Sequence, residues 1–94
     1  MEADPGAAFG VTRLLEELLR DASIVATGAS ASLIHEDVRA EVELWSTAMW
    51  PDGIAACHRA ISDARRDLER MVTGRTALDA LLTRFREELH VPQA

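Results

Sequence analysis

The chain has 94 residues, of which 48% are hydrophobic, 28% are charged and only 4% are aromatic, with no tyrosine at all. This composition favours one small helical domain and argues against both a disordered chain and a β-rich fold. The formal net charge of −6 disfavours nonspecific binding to nucleic acid or to an anionic membrane surface, because both attract basic proteins.

Residues 1–10 include Pro5, Gly6 and Gly10 and are predicted to form a flexible lead-in. A single helical domain is predicted over residues 11–90, followed by a short tail at residues 91–94. No apolar run approaches the roughly 20 residues that a membrane-spanning helix needs. The acidic start lacks signal-peptide character, and a lone cysteine fits a reducing compartment, so we expect a cytoplasmic protein.

The first helix is predicted over residues 11–27, because apolar residues recur there three or four positions apart. Gly28 is expected to end this helix, since glycine readily adopts the left-handed conformation that closes a helix. A second helix is predicted over residues 35–49. The side chains expected to face the core from these two helices are Val11, Leu14, Leu15, Leu18, Ala22, Val25, Val38, Val42, Trp45 and Met49.

The third helix is predicted over residues 51–72 and the fourth over residues 75–89, with a break at Thr73 and Gly74. Either Thr73 or Thr76 could cap the fourth helix. The expected core positions are Ile54, Cys57, Ile61, Ala64, Leu68 and Met71 in the third helix and Leu78, Leu81, Leu82, Phe85 and Leu89 in the fourth. Amphipathic helices with short connections predict an all-α bundle of four to five helices.

Reactive side chains do not form a convergent pattern in the sequence. His35, Glu36 and Asp37 are adjacent rather than one helical turn apart, so their side chains diverge, and the same holds for Cys57 and His58. No phosphate-binding glycine motif is present. We therefore expect no metal site, no cofactor and no catalytic residue, and predict that the chain is not an enzyme.

Arginine and tryptophan supply the candidate interface residues, since both are enriched at protein contacts. Trp50 lies at a turn beside Pro51. Two roles fit this position, an exposed contact with a partner and local packing within the chain. The alternative for the arginines is that they lie on solvated helix faces and contact no partner. The residues predicted to form an interface are Trp50, Arg65, Arg66, Arg70 and Arg75.

Two stretches of the sequence resemble one known family. They read LLRDASIVATGASASLIHEDVR and AISDARRDLERMVTGRTALDALLTRF. Both are similar to the C-terminal helical domain of the delta-prime subunit of the bacterial DNA polymerase III clamp loader, with the related gamma/tau subunit as second choice. Arg20-Asp21, residues 34–37 and the leucine spacing across the break are in step with that family. Thr73-Gly74 departs from it, because the family has Asn-Pro there.

The resemblance implies a protein–protein interaction domain that packs beside other clamp-loader subunits in a hetero-oligomeric collar used in DNA replication. It implies no direct contact with nucleic acid. ATPase activity is not expected, because the chain contains no nucleotide-binding motif. An unrelated helical adaptor or regulatory homodimer is the alternative, and a small helical enzyme or metal protein is the third.

Overall fold

Four α-helices and one short 3-10 helix make up the fold of residues 5–70 and 72–89, which are the residues that the computed structural model describes. The bounds are α1 Pro5–Thr27, the 3-10 helix Glu36–Val38, α2 Arg39–Met49, α3 Asp52–Glu69 and α4 Gly74–Glu88. These helices confirm the predicted all-α bundle. The predicted tail at residues 91–94, residues 1–4 of the predicted lead-in and the predicted core residue Met71 lie outside the described residues.

The first helix begins six residues earlier than predicted, at Pro5 rather than Val11. Residues 5–10 were predicted as part of a flexible lead-in, and this prediction was wrong. Proline is tolerated in the first turn of a helix. Ala8 is fully buried and packs in a small cluster with Leu68 and Ala77. This tertiary contact stabilises a segment whose glycine content alone disfavours helix.

Gly28 ends α1 as predicted. It has a φ of 70°, and its N–H donates to the carbonyl of Val25 at 3.2 Å. The N–H of Ala29 donates to the carbonyl of Ile24 at 3.2 Å. These two bonds form a Schellman motif, which satisfies carbonyl groups that the end of a helix leaves without partners.

The second predicted helix is divided into two parts. A 3-10 turn at Glu36–Val38 precedes α2, because Val38, where the two parts meet, has a non-helical backbone conformation (φ −119°, ψ 32°). The fourth helix begins at Gly74, and the Oγ1 of Thr73 accepts a hydrogen bond from the N–H of Thr76 at 3.3 Å. Of the two capping residues that the sequence left open, Thr73 is therefore the cap.

The core contains side chains from all four helices. Trp45 of α2 contacts Phe85 of α4, with ring centroids 5.6 Å apart. Two predicted core residues were wrong, because Leu14 and Leu82 are 45% and 43% exposed. Leu19, which was not predicted, is fully buried. The buried positions of α1 are Ala8, Thr12, Leu15, Leu19, Asp21 and Ala22.

Candidate interaction surface

Asp21 joins α1 to the segment that precedes the 3-10 helix. Its carboxylate is fully buried, and its two oxygens accept hydrogen bonds from the N–H of Ile34 at 2.9 Å and of His35 at 2.8 Å. Arg20 lies beside it, with Nη1 3.3 Å from Oδ1. Burial of a carboxylate is costly unless the charge is paired and hydrogen-bonded, and here both conditions are met. Asp21 therefore fixes the path of the chain after α1.

His35 makes a second contact to α1. Its Nε2 lies 2.9 Å from Oε1 of Glu17, and both side chains are partly buried. Glu17 also pairs with Arg13, one turn earlier, at 3.4 Å. The adjacent residues His35, Glu36 and Asp37 do not converge, because Glu36 turns to Arg39 instead. This pairing lowers the pKa of Glu36 through the hydrogen bond from Arg39.

An open groove of about 650 Å³ lies between α3 and α4. We call it the α3–α4 groove, and its lining residues are Ala56, Arg59, Ala60, Asp63, Ala64, Arg66, Asp67, Ala77, Ala80, Leu81 and Arg84. Five of these residues are alanines, of which Ala56, Ala64 and Ala77 are buried and Ala80 is exposed. Arginines are distributed along the groove, and their long side chains can cover apolar surface while their charged ends stay in water.

The lining of the groove has three arginines and two aspartates, a net charge of +1 in a chain of net charge −6. Arg66 pairs with Asp63 at 3.4 Å, and Arg84 pairs with Glu88 at 3.4 Å. Arg59 forms no ion pair with any of the described residues. Arg84 also pairs with Glu87 at 3.8 Å. Arg59 is therefore the arginine of the lining that remains able to pair with an acidic group of a partner.

The five predicted interface residues differ in what they contact. Arg66 lines the α3–α4 groove. Its neighbour Arg65 points instead to α1, where its Nε donates to Oγ1 of Thr12 at 3.1 Å and its two terminal nitrogens lie 3.1 and 3.3 Å from the oxygens of Glu16. This contact within the chain accounts for Arg65 without a partner protein.

The three other predicted interface residues lie elsewhere. Trp50 follows the last residue of α2 and is 44% exposed. Arg70 follows α3, and its N–H donates to the carbonyls of Arg66 and Asp67 at 3.1 Å each. Arg75 is exposed in the first turn of α4. Their interface roles stay predictions.

The sequence interpretation did not single out Arg59, Arg84 or the alanines of the groove. A signal was present, because Ala56, Ala60 and Ala64 recur four residues apart and so lie along one side of α3. The alanines of α4 that face them belong to a different helix. Only the packing of α3 against α4 shows that the two sets line one groove.

Cys57 is buried in the core of the bundle, as predicted. Its Sγ lies 3.8 Å from Sδ of Met49. Burial, and to a lesser extent the negative charge of Glu88, raises the pKa of the thiol to about 11. The thiol is therefore protonated at neutral pH and packs as a small hydrophobic group.

Within residues 5–70 and 72–89, no group of three or more His, Cys, Asp or Glu side chains is arranged to hold a metal ion. None of the helices in this part of the chain is both long and apolar enough to cross a bilayer.

Comparison of the chain with protein-family models, with curated proteins and with solved structures found no match. The similarity to the clamp-loader domain therefore stays a prediction from the residues that carry it.

Proposed function

We propose that this chain is a non-catalytic protein–protein interaction domain. The observation that carries the proposal is the α3–α4 groove, an open surface with small apolar residues between charged ones. Small side chains let another helix approach closely, and arginine is enriched at protein contacts. Within the part of the chain that the structure describes, buried Asp21 is a carboxylate whose oxygens both accept backbone hydrogen bonds, and buried Cys57 is a protonated thiol.

The more specific proposal is that this domain belongs to the oligomerisation collar of a DNA polymerase III clamp loader, acting in the cytoplasm beside other clamp-loader subunits. Its support is the resemblance of the two sequence stretches to the delta-prime subunit, with the gamma/tau subunit as second choice. Arg20-Asp21 and residues 34–37 are the matching pieces of the first stretch, and Asp21 binds the backbone of residues 34 and 35 directly. The matching residues are thus joined by a buried contact.

A reconstitution experiment tests this proposal. The purified chain is mixed with purified gamma/tau and delta subunits of a bacterial clamp loader, and complexes are separated by size-exclusion chromatography. We expect co-elution, which Arg66→Glu weakens because Arg66 lines the groove. Arg86→Glu is the matched control, since Arg86 is exposed and does not line the groove. A chain that never joins these subunits would contradict the clamp-loader proposal and favour the alternative, a homodimeric adaptor.

A further inference from the structure

We propose that the α3–α4 groove binds α2 of a second copy of this chain. The inference rests on the proposed function only in treating the chain as an interaction domain, and it does not require clamp-loader partners. The proposed self-association uses two different surfaces of the same molecule. One surface is the groove, and the other is the exposed side of α2.

The exposed side of α2, which we call the α2 face, consists of Ala40, Glu41, Glu43, Leu44 and Thr47. Leu44 is 69% exposed, the largest exposure among the large hydrophobic side chains of the described residues. The internal face of the same helix holds Val42 and Met49, which are almost completely buried. Leu44 therefore contributes nothing to the core, and its exposure to water is unfavourable unless another surface covers it.

The shape of the groove suits an inserted leucine. Ala56, Ala60 and Ala80 line it, so a side chain that projects from another helix meets methyl groups rather than bulky neighbours. The volume of about 650 Å³ leaves room for Leu44 and for the helix backbone beside it. Packing Leu44 there would remove apolar area from water on both partners.

The charges of the two surfaces are complementary. Glu41 and Glu43 form no ion pair with the described residues, and Arg39, at the start of α2, is already paired with Glu36. The α2 face is therefore acidic. In the groove, Arg66 is paired with Asp63, and Arg84 is paired with Glu87 and Glu88. Arg59 has no ion pair within the described residues, although Asp67 also lines the groove. Pairing of Arg59 with a glutamate of the α2 face accordingly favours the contact, and this attraction weakens as salt is added.

This contact joins two different surfaces, so it is heterologous rather than self-complementary. Heterologous contacts build closed rings or open chains of subunits, because a pair of copies joined by one contact still has one free groove and one free face. This property separates the proposal from an ordinary two-fold dimer, and it provides a test by mixing two defective variants.

Sedimentation velocity measures the association. We expect the wild-type chain to form species larger than a monomer at high protein concentration and low salt. A groove variant, Arg59→Glu with Ala80→Gln, and a face variant, Leu44→Ser, should each remain monomeric, with Kd raised about tenfold or more. An equimolar mixture should form a dimer and nothing larger, because one variant keeps an intact face and the other an intact groove. Formation of that dimer also shows that both variants are folded.

The matched controls are Arg86→Glu, which changes the same charge outside the groove, and Leu14→Ser, which alters another exposed leucine. Both should associate like the wild type. A wild-type chain that remains monomeric would overturn the inference, as would variants that associate unchanged or a mixture that stays monomeric. A monomeric chain that still binds clamp-loader subunits overturns this inference alone. A self-associating chain that ignores those subunits overturns the clamp-loader proposal alone.

Discussion

The buried carboxylate of Asp21 accepts a hydrogen bond of 2.8 Å from the backbone N–H of His35. Its other oxygen binds the N–H of Ile34 at 2.9 Å. These bonds join α1 to the start of the 3-10 helix across 13 and 14 residues of sequence, and they leave neither oxygen of Asp21 without a donor. The entry into α2, and with it the position of the α2 face, therefore depends on Asp21.

Replacement of Asp21 tests this contact. Asp21→Asn preserves the size of the side chain but removes the charge and replaces one acceptor by an NH2 group, which cannot accept. We expect it to lower the free energy of unfolding by about 2 kcal/mol, because a buried N–H then lacks its partner. Urea denaturation measures the change. Asp37→Asn, at an exposed position, is the matched control and should be almost neutral, whereas equal stability of both variants would contradict the role of Asp21.

Arg65 and Arg66 are adjacent but differ in what they contact. Arg65 binds Thr12 and Glu16 of α1, whereas exposed Arg66 pairs only with Asp63 in its own helix. We expect Arg65→Ala to lower the free energy of unfolding by about 1 kcal/mol, since its two-pronged pair with Glu16 is only partly exposed. Arg66→Ala should change it by less than about 0.5 kcal/mol. Equal effects in thermal or urea denaturation would show that Arg65 does not hold α3 to α1.

The buried thiol of Cys57 should make the folded chain less stable at alkaline pH. Burial raises the pKa of the thiol to about 11 in the folded chain, whereas an unfolded cysteine ionises near pH 8.5. The stabilisation from the protonated thiol is therefore complete below about pH 8.5 and is lost as the pH rises to about 11, by about 3 kcal/mol in total.

The measurement is the free energy of unfolding between pH 8.5 and 11. The sequence has no lysine and no tyrosine, so no other side chain ionises in this range. Cys57→Ala should abolish the loss of stability with rising pH, although it lowers stability at neutral pH. A similar alkaline loss in that variant would assign the effect to another cause.

Two glycines in helices should respond oppositely to alanine. At Gly10 a Cβ atom meets nothing within 4 Å, so Gly10→Ala should raise the free energy of unfolding by about 0.5–1 kcal/mol. At Gly53 the added Cβ would lie 3.1 Å from Cβ of Met49 and 3.2 Å from Oε1 of Glu88. Because Met49 is packed in the core, Gly53→Ala should lose this gain or lower stability. Equal stabilisation by both substitutions in calorimetry would contradict the close packing at Gly53.

The pattern of apolar residues predicted the helices well, but it could not choose between identical neighbours. Leu14 and Leu15 both fit a helical period, as do Leu81 and Leu82, yet only Leu15 and Leu81 are buried. The sequence likewise could not show which of the neighbours Arg65 and Arg66 faces another helix. Only the packing of one helix against another selects the member that faces inward. The same limit applies to residues 5–10, where the burial of Ala8 outweighs the low helix propensity of glycine.

The candidate surface was predictable only in part. Arg66 was among the expected interface residues, but the groove that it lines requires α3 and α4 to be side by side. The exposed Leu44 could not be inferred, because the sequence pattern of α2 indicates which residues face inward and leaves open whether an outward leucine has a partner.

A dilution series of ¹H–¹⁵N NMR spectra of the wild-type chain tests most directly the claim that the α3–α4 groove binds α2 of a second copy. As the protein concentration rises at low salt, we predict that the amide signals of groove residues such as Ala60 and Ala80 shift together with those around Leu44. The signals of Ile34 and His35, whose N–H groups donate to Asp21, should stay in place. Spectra that do not depend on concentration, or shifts confined to another surface such as that around Trp50, would contradict the account.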